Sequence, residues 1–189
     1  TISFSYFPNG DRQTMTDSTG TTSYTIDSRH RYLTKQSPFG TLTYTYDPTD
    51  NLTSLKSSNA NGAWVEYSYD NLNRLQTVTD KRVTPGLTTY SYDDVSNLKR
   101  LTQPNGVQTD YSYDTTNLLT SVNISKGAQT LAQYSYVYKP TGHRASVTEG
   151  GGRQASYEYD DAYRLSSETL SGNVDPTQNG IVGYVLDKV

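Results

Sequence analysis

An aromatic-x-aromatic pair recurs along the whole chain and constrains its fold more than any other feature. Successive copies begin 20 to 27 residues apart, so nine of them cover the 189 residues in phase. This regularity indicates one array of about nine repeated units, residues 1–189, in which each unit packs on its neighbours and the last is truncated. The units begin near Phe4, Tyr24, Tyr44, Tyr67, Tyr90, Tyr111, Tyr136, Tyr157 and Tyr184.

Each unit is predicted to be a β-hairpin. In Tyr67-Ser68-Tyr69 the two rings point to one face of a strand and the serine to the other. Asp70 then ends the strand, because its carboxylate can accept backbone N–H bonds from the next two residues. Four turn residues follow, with Asn, Gly or His at a place compatible with positive φ. A second strand begins at Leu75, six residues after the second aromatic position.

Two units depart from this pattern in the same way. Their residue after the second aromatic position is Phe7 or Lys139 instead of aspartate, and each is followed by a Pro-x-Gly sequence. The place of the leucine is taken by Arg12 and Arg144. The residues predicted to carry the repeat, all in structural roles, are Tyr44, Tyr46, Asp47, Tyr67, Tyr69, Asp70, Arg74, Leu75, Tyr90, Tyr92, Asp93, Leu98, Tyr111, Tyr113, Asp114, Leu119, Tyr157, Tyr159, Asp160 and Leu165.

The composition favours an all-β fold with a thin core. Only 32% of the residues are hydrophobic, 18 of them are tyrosines, and serine and threonine are abundant. Threonine and tyrosine favour half-buried strands. We therefore expect a continuous antiparallel meander of hairpins in a single curved or spiralling sheet rather than a sandwich. A ladder of tyrosines would cover one face, and the other face would be wet.

Several functional classes are disfavoured by the sequence. The chain has no cysteine, two histidines and a net charge of −3, so thiolate chemistry is excluded and nucleic acid is not expected as a partner. No apolar run is long enough for a membrane-spanning helix, and residues 1–5 do not form a signal peptide. Because the chain also begins without methionine, we expect it to be a segment of a longer array that lacks the targeting signal.

No convergent catalytic, cofactor or metal site is predicted. The paired acids Asp93-Asp94 and Asp160-Asp161 both begin turns, where adjacent carboxylates do not face each other as a glycosidase pair would. His30 and His143 fall at turn positions without a second ligand at metal-binding spacing. Trp64, after the loop 59–63, is the aromatic residue that the repeat explains least. It is interpreted as a contact to a neighbouring turn of the array, with contact to a ligand as the alternative.

The pattern Tyr-x-Tyr-Asp-x-x-(Asn/Gly)-(Arg/Asn)-Leu resembles the YD repeat, also called the RHS (rearrangement hotspot) repeat. Residues 67–75 match it closely, and residues 44–52, 90–98, 111–119 and 157–165 match nearly as well. The variant units, 4–12 and 136–144, resemble the Pro-x-Gly form seen in such arrays. The resemblance covers essentially the whole chain.

The resemblance implies a function as well as a fold. In this family the repeats form a long β-sheet that spirals into a hollow shell around a C-terminal toxin or effector domain. It implies a bacterial protein that is secreted, displayed at the cell surface or delivered to a target cell, with the rest of the shell and the enclosed domain as partners. The Asp-Pro-x-Gly-Leu type of self-cleavage motif is absent, so that activity is not expected here. Adhesion or glycan binding by the aromatic rows is the alternative.

Overall fold

The computed structural model describes residues 1–173 and 175–184, and nearly all of its regular structure is β-strand. No helix among these residues is long and apolar enough to cross a membrane. One 3-10 helix, Pro176–Gln178, precedes the last strand. The strands are β1 (Ser3–Tyr6), β2 (Arg12–Asp17), β3 (Gly20–Ile26), β4 (Tyr32–Ser37), β5 (Gly40–Tyr46), β6 (Leu52–Ser57), β7 (Trp64–Tyr69), β8 (Leu75–Asp80), β9 (Leu87–Tyr92), β10 (Leu98–Thr102), β11 (Val107–Tyr113), β12 (Leu119–Lys126), β13 (Gln129–Tyr138), β14 (Arg144–Glu149), β15 (Gln154–Tyr159), β16 (Leu165–Ser171) and β17 (Gly180–Gly183).

The strands follow one another as an antiparallel meander, which confirms the predicted fold class. The chain forms two compact units, residues 1–89 and 90–189, and β9 continues from the first into the second. In the first unit β1 to β9 pair in chain order. In the second unit each strand again pairs with the next one along the chain, up to β17. The predicted ninth copy of the repeat begins at Tyr184, and its remainder lies outside the described residues.

A β-bulge lies beside the turn in most of the repeat hairpins. In the hairpin of β5 and β6, Thr45 pairs with Ser54 but Tyr46 pairs with Leu52, so Thr53 is the extra residue. The same shift follows the middle residue of the motif in the hairpins of β7–β8, β11–β12, β13–β14 and β15–β16. A bulge increases the local twist and bends the strand that carries it. The repeat therefore places a bend at the same point of each of these hairpins.

The two faces of the sheet differ in chemistry as the period-two pattern predicts. On one face Tyr67 pairs with Val78 and Tyr69 with Leu75. On the other face hydroxyl groups meet, as in the 2.6 Å hydrogen bond between Ser68 Oγ and Thr77 Oγ1. The only apolar side chains buried among the described residues are those of Tyr24 and Ala155. Stability in this fold must therefore come from many half-buried contacts rather than from a closed core.

Candidate functional site: the contacts between successive hairpins

The aspartate after the second tyrosine organises the turn of each regular hairpin. Asp70 Oδ1 accepts the backbone N–H groups of Leu72 at 2.9 Å and Arg74 at 3.0 Å, and its Oδ2 accepts Nε of Arg74 at 2.7 Å. The backbone closes the turn, since the N–H of Asn73 donates to the carbonyl of Asp70 and the N–H of Asp70 to the carbonyl of Arg74. One carboxylate thus satisfies three donors in a loop of four residues.

The donors lie farther along the chain than the sequence predicted. The prediction named the next two residues, whereas the second and fourth residues donate to Asp27, Asp47, Asp70, Asp93, Asp114 and Asp160. The reason is the residue between the donors, which has positive φ and turns the fourth N–H back toward the carboxylate. This position holds His30, Asp50, Asn73, Ser96, Asn117 or Tyr163 in the regular hairpins and Gly10 or Gly142 in the Pro-Gly units.

Hydrogen bonding keeps these turn carboxylates ionised. Their pKa lies below its ordinary value at Asp27, Asp47, Asp70, Asp114 and Asp160. The leading cause of the lowered pKa is the backbone N–H of Arg74 for Asp70, and the hydroxyl of Thr116 for Asp114. A carboxylate that accepts several N–H bonds is stabilised in its charged form.

In several hairpins the second tyrosine of the motif forms a hydrogen bond to the hairpin before it. The hydroxyl of Tyr69 donates to the backbone carbonyl of Leu52 at 2.9 Å, which is the first residue of the second strand in the preceding hairpin. Burial raises the pKa of Tyr69, so the phenol stays protonated and able to donate. The same bond, at 2.7 to 3.0 Å, joins Tyr46 to Tyr32, Tyr113 to Leu98, Tyr138 to Leu119 and Tyr159 to Arg144. We call this bond the tyrosine bridge.

Polar side chains also join successive turns along the edge of the sheet. In the first unit Asn73 Oδ1 accepts Thr49 Oγ1 at 3.1 Å and Asn51 Nδ2 at 3.0 Å. In the second unit Asn97 Nδ2 donates to Asn117 Oδ1 at 3.0 Å. The residue with positive φ thus has two roles, because its side chain also contacts the preceding turn.

Comparison with known proteins identifies this arrangement. The family model described as Teneurin YD-shell matches residues 1–136. The chain belongs to the teneurin YD-shell family. The YD repeat suggested by the sequence is therefore confirmed at the level of the family. No curated protein matches the chain.

Solved structures of toxin complexes share the YD-shell fold of this chain. A TcdB2–TccC3–Cdc42 crystal structure has a TM-score of 0.73 at 19% identity over 89% of the chain. A TcdB2–TccC3–TEV crystal structure has a TM-score of 0.72 at 18% identity over the same share. A Photorhabdus luminescens Tc holotoxin pore gives 0.72 at 19%, also over 89%. The chain spans 10% of each of these chains, so the likeness is one of fold.

The YD-shell repeat residues contact one another as cross-strand pairs and through tyrosine bridges. Tyr44 lies opposite Leu55, and Tyr111 opposite Val122, across their own hairpins. Leu98 and Leu119 supply the carbonyl groups of tyrosine bridges, which the sequence did not predict. Tyr157 instead lies opposite the charged Glu168, as Tyr24 lies opposite Lys35.

Most of the side chains considered for catalysis or metal binding have local contacts of their own. Asp160 is committed to its turn, and the neighbouring Asp161 is exposed. His30 Nδ1 lies 2.8 Å from Asp11 Oδ2, and the His143 ring stacks on that of Tyr163 with 5.1 Å between centroids. No group of three or more potential metal ligands occurs in residues 1–173 and 175–184.

Trp64 has a partner within its own unit. It begins β7 opposite Lys56 of β6, and the Lys56 ammonium lies 3.9 Å from the centroid of the indole ring. A cation over the ring face is held by the ring quadrupole. Trp64 is 37% exposed, so the rest of its ring remains accessible.

Proposed function

We propose that this chain is a structural segment in the wall of a YD-repeat shell, and that the full-length protein encloses a C-terminal toxin or effector domain and helps to deliver it. The observation that carries the proposal is the tyrosine bridge. At Tyr46, Tyr69, Tyr113, Tyr138 and Tyr159 it ties a hairpin to the backbone of its predecessor, and it needs no side chain of a particular type there. A wall built in this way can be extended hairpin by hairpin.

The geometry suits a wall better than a catalytic surface. The turn aspartates and the tyrosine hydroxyls are used in holding the hairpins, and the length variation falls in the linkers. The repeated bulges bend each hairpin in the same way, which favours a curved sheet. Closure of such a sheet would remove exposed strand edges. We therefore assign no enzymatic activity and no cofactor to this segment.

The toxin-complex neighbours support the delivery role. These neighbours are TcdB2–TccC3 assemblies and a Tc holotoxin pore. By analogy, the partners of this chain are the rest of its shell and an enclosed effector domain, and its location is secreted, at the cell surface or in a target cell. The toxin activity belongs to the enclosed domain and not to the wall.

Binding of a glycan or a cell surface is the second candidate, and accessible Trp64 is the observation that favours it. An indole ring can stack on a pyranose face. However, Lys56 already covers one face of this ring. The candidate predicts that Trp64→Ala abolishes binding on a glycan array while the urea midpoint stays unchanged.

Limited proteolysis of the full-length protein, followed by mass spectrometry, tests the wall proposal. A non-repeat C-terminal fragment should resist protease in the native particle and become sensitive once urea unfolds the repeats. A separately expressed C-terminal domain is the control, since it should be cleaved at the same sites without urea. A tail digested as fast in the native protein as in the control would contradict enclosure.

A further inference from the structure

Two arginines stand out by their place in the repeat and by their partners. Arg12 and Arg144 occupy the leucine position of the two Pro-Gly units, on the tyrosine face of the sheet. Neither has an acidic partner among the residues that the structure describes, and both guanidinium groups instead lie over a tyrosine ring. The remaining arginines, all ion-paired with an acid, are Arg29, Arg31, Arg74, Arg82, Arg100, Arg153 and Arg164.

The Pro-Gly units also lack the turn aspartate that binds an arginine in other hairpins. In the regular hairpin the turn carboxylate is a strong local anion, and Arg74 and Arg164 bind to it. In the Pro-Gly units Phe7 or Lys139 stands at that place. The Nε atom of Arg12 is buried without a hydrogen-bond partner in the described part of the chain. The Arg12 guanidinium group therefore has an unused donor, whereas Arg144 is exposed.

Arg144 lies at a cleft that could hold a ligand. The cleft has a volume of about 400 Å³ and is lined by Tyr138, Gly142, Arg144, Tyr157, Tyr159 and Leu165, all within the second unit. The Arg144 guanidinium carbon lies 5.2 Å from the centroid of the Tyr136 ring, which fixes one face of the group. Its N–H edge remains available for a planar anion.

We propose that the Arg144 cleft binds a carboxylate side chain presented by another polypeptide, a glutamate or aspartate flanked by apolar residues. The polar groups of the cleft favour this ligand. The hydroxyls of Tyr138 and Tyr159 already donate to backbone carbonyls. Only the guanidinium group and the Tyr157 hydroxyl remain, since the latter has no hydrogen-bond partner among the described residues.

An acidic sugar has the same carboxylate chemistry but fits less well. A pyranose presents several hydroxyl groups, and those that face the tyrosine rings and Leu165 would lose their hydrogen bonds to water. A carboxylate on an aliphatic stem instead places its charge on the guanidinium and its methylene groups against the rings and Leu165. The proposal concerns the cleft alone and holds whether or not the sheet closes into a shell.

Nuclear magnetic resonance titration of the whole chain tests the proposal. The probe is a capped peptide with one glutamate between two leucines, compared with its glutamine counterpart, glucuronate and N-acetylneuraminate. We expect the glutamate peptide to shift the Arg144 Nε–H and Tyr157 ring signals saturably, with about tenfold higher affinity than the glutamine peptide because the bond is charge-assisted. Tighter binding of either sugar acid, or equal binding of both peptides, would overturn the proposal.

The Arg144→Leu variant supplies the decisive comparison. It places in this unit the residue that Leu119 and Leu165 supply in others, so the hairpin should still fold. We expect the affinity for the glutamate peptide to fall about tenfold or more, because the only free cation of the cleft is removed. Arg100→Leu is the matched control, since that guanidinium is already paired with Asp110. If Arg144→Leu binds the glutamate peptide as tightly as Arg100→Leu and the unmodified chain do, the assignment is wrong.

Discussion

At the scale of single residues, the second tyrosine and the aspartate of the motif have separable roles. The tyrosine reaches the preceding hairpin, and the aspartate organises its own turn. The first tyrosine, Tyr67, packs across its hairpin without a hydrogen-bond partner for its hydroxyl among the described residues. The two tyrosines of one motif are therefore chemically alike but are expected to respond differently to the loss of a hydroxyl.

The tyrosine bridge can be tested by removing one oxygen atom. We expect Tyr69→Phe to lower the free energy of unfolding by about 1 kcal/mol, because the carbonyl of Leu52 loses its donor while the ring still packs. Tyr67→Phe is the matched control and should change it by less than about 0.5 kcal/mol. Urea denaturation of the three proteins gives the comparison. Equal effects of the two variants would count against the bridge.

The turn aspartates predict how stability depends on pH. The pKa of Asp160 is lowered, first by the backbone N–H of Arg164 and then by its side chain. Its contribution is therefore fully present above the unfolded pKa of about 3.9 and is lost as the pH falls through the lower folded value. Asp160→Asn should reduce the urea midpoint at pH 7, and the deficit should shrink below pH 4. Asp161→Asn is the control, since that carboxylate accepts no hydrogen bond among the described residues. Parallel pH profiles for the two variants would refute the assignment.

At the scale of the hairpin, local chemistry was predictable and the contacts between hairpins were not. The Asp-x-x-Asn pattern around Asp70 indicated both the turn and the positive φ of Asn73. The positive φ of Tyr163, 60°, could not be predicted, because a tyrosine side chain disfavours this conformation. In the folded chain the Tyr163 ring stacks on that of His143. The acceptor of the tyrosine bridge was also missed. It is a backbone carbonyl about 15 to 20 residues away, and a residue of any type can supply one.

The turn of the Pro-Gly unit offers a clean measure of backbone strain. Gly142 has a φ of +82°, and a Cβ there would meet no atom within 4 Å. Gly142→Ala should therefore lower the free energy of unfolding by about 1 kcal/mol through the left-handed conformation alone. Gly151→Ala, equally open but without positive φ, should be neutral or stabilising by up to about 1 kcal/mol. Thermal melts of both variants test this, and a stabilising Gly142→Ala would contradict the turn assignment.

At the scale of the whole molecule, the sheet behaves as a series of interchangeable hairpins. Each strand of the first unit pairs with its neighbours in chain order, and only two apolar side chains of the described residues are buried. Composition predicted this thin construction, because tyrosine, serine and threonine replace most of the aliphatic residues of an ordinary core. Loss of one entire repeat should therefore cost little, provided that the remaining repeats stay in register.

Two deletions in the first unit test this independence of the repeats. Removing residues 44–66 joins the first half of β5 to the second half of β7 and lets Tyr69 take the place of Tyr46 against the carbonyl of Tyr32. We expect this protein to remain folded by circular dichroism. Removing residues 44–65 shifts the register by one residue and turns the tyrosines to the wrong face. That protein should lose its cooperative urea transition. Similar urea transitions for the two deletion variants would contradict the independence of the repeats.

Electron microscopy of the full-length protein can show whether this sheet is part of a wall around an effector domain. We expect a hollow particle whose wall fits the hairpins of this segment, with the density of the non-repeat domain inside. Deleting that domain should empty the particle and leave the wall unchanged. An open repeat sheet with the non-repeat domain outside it would contradict the claim.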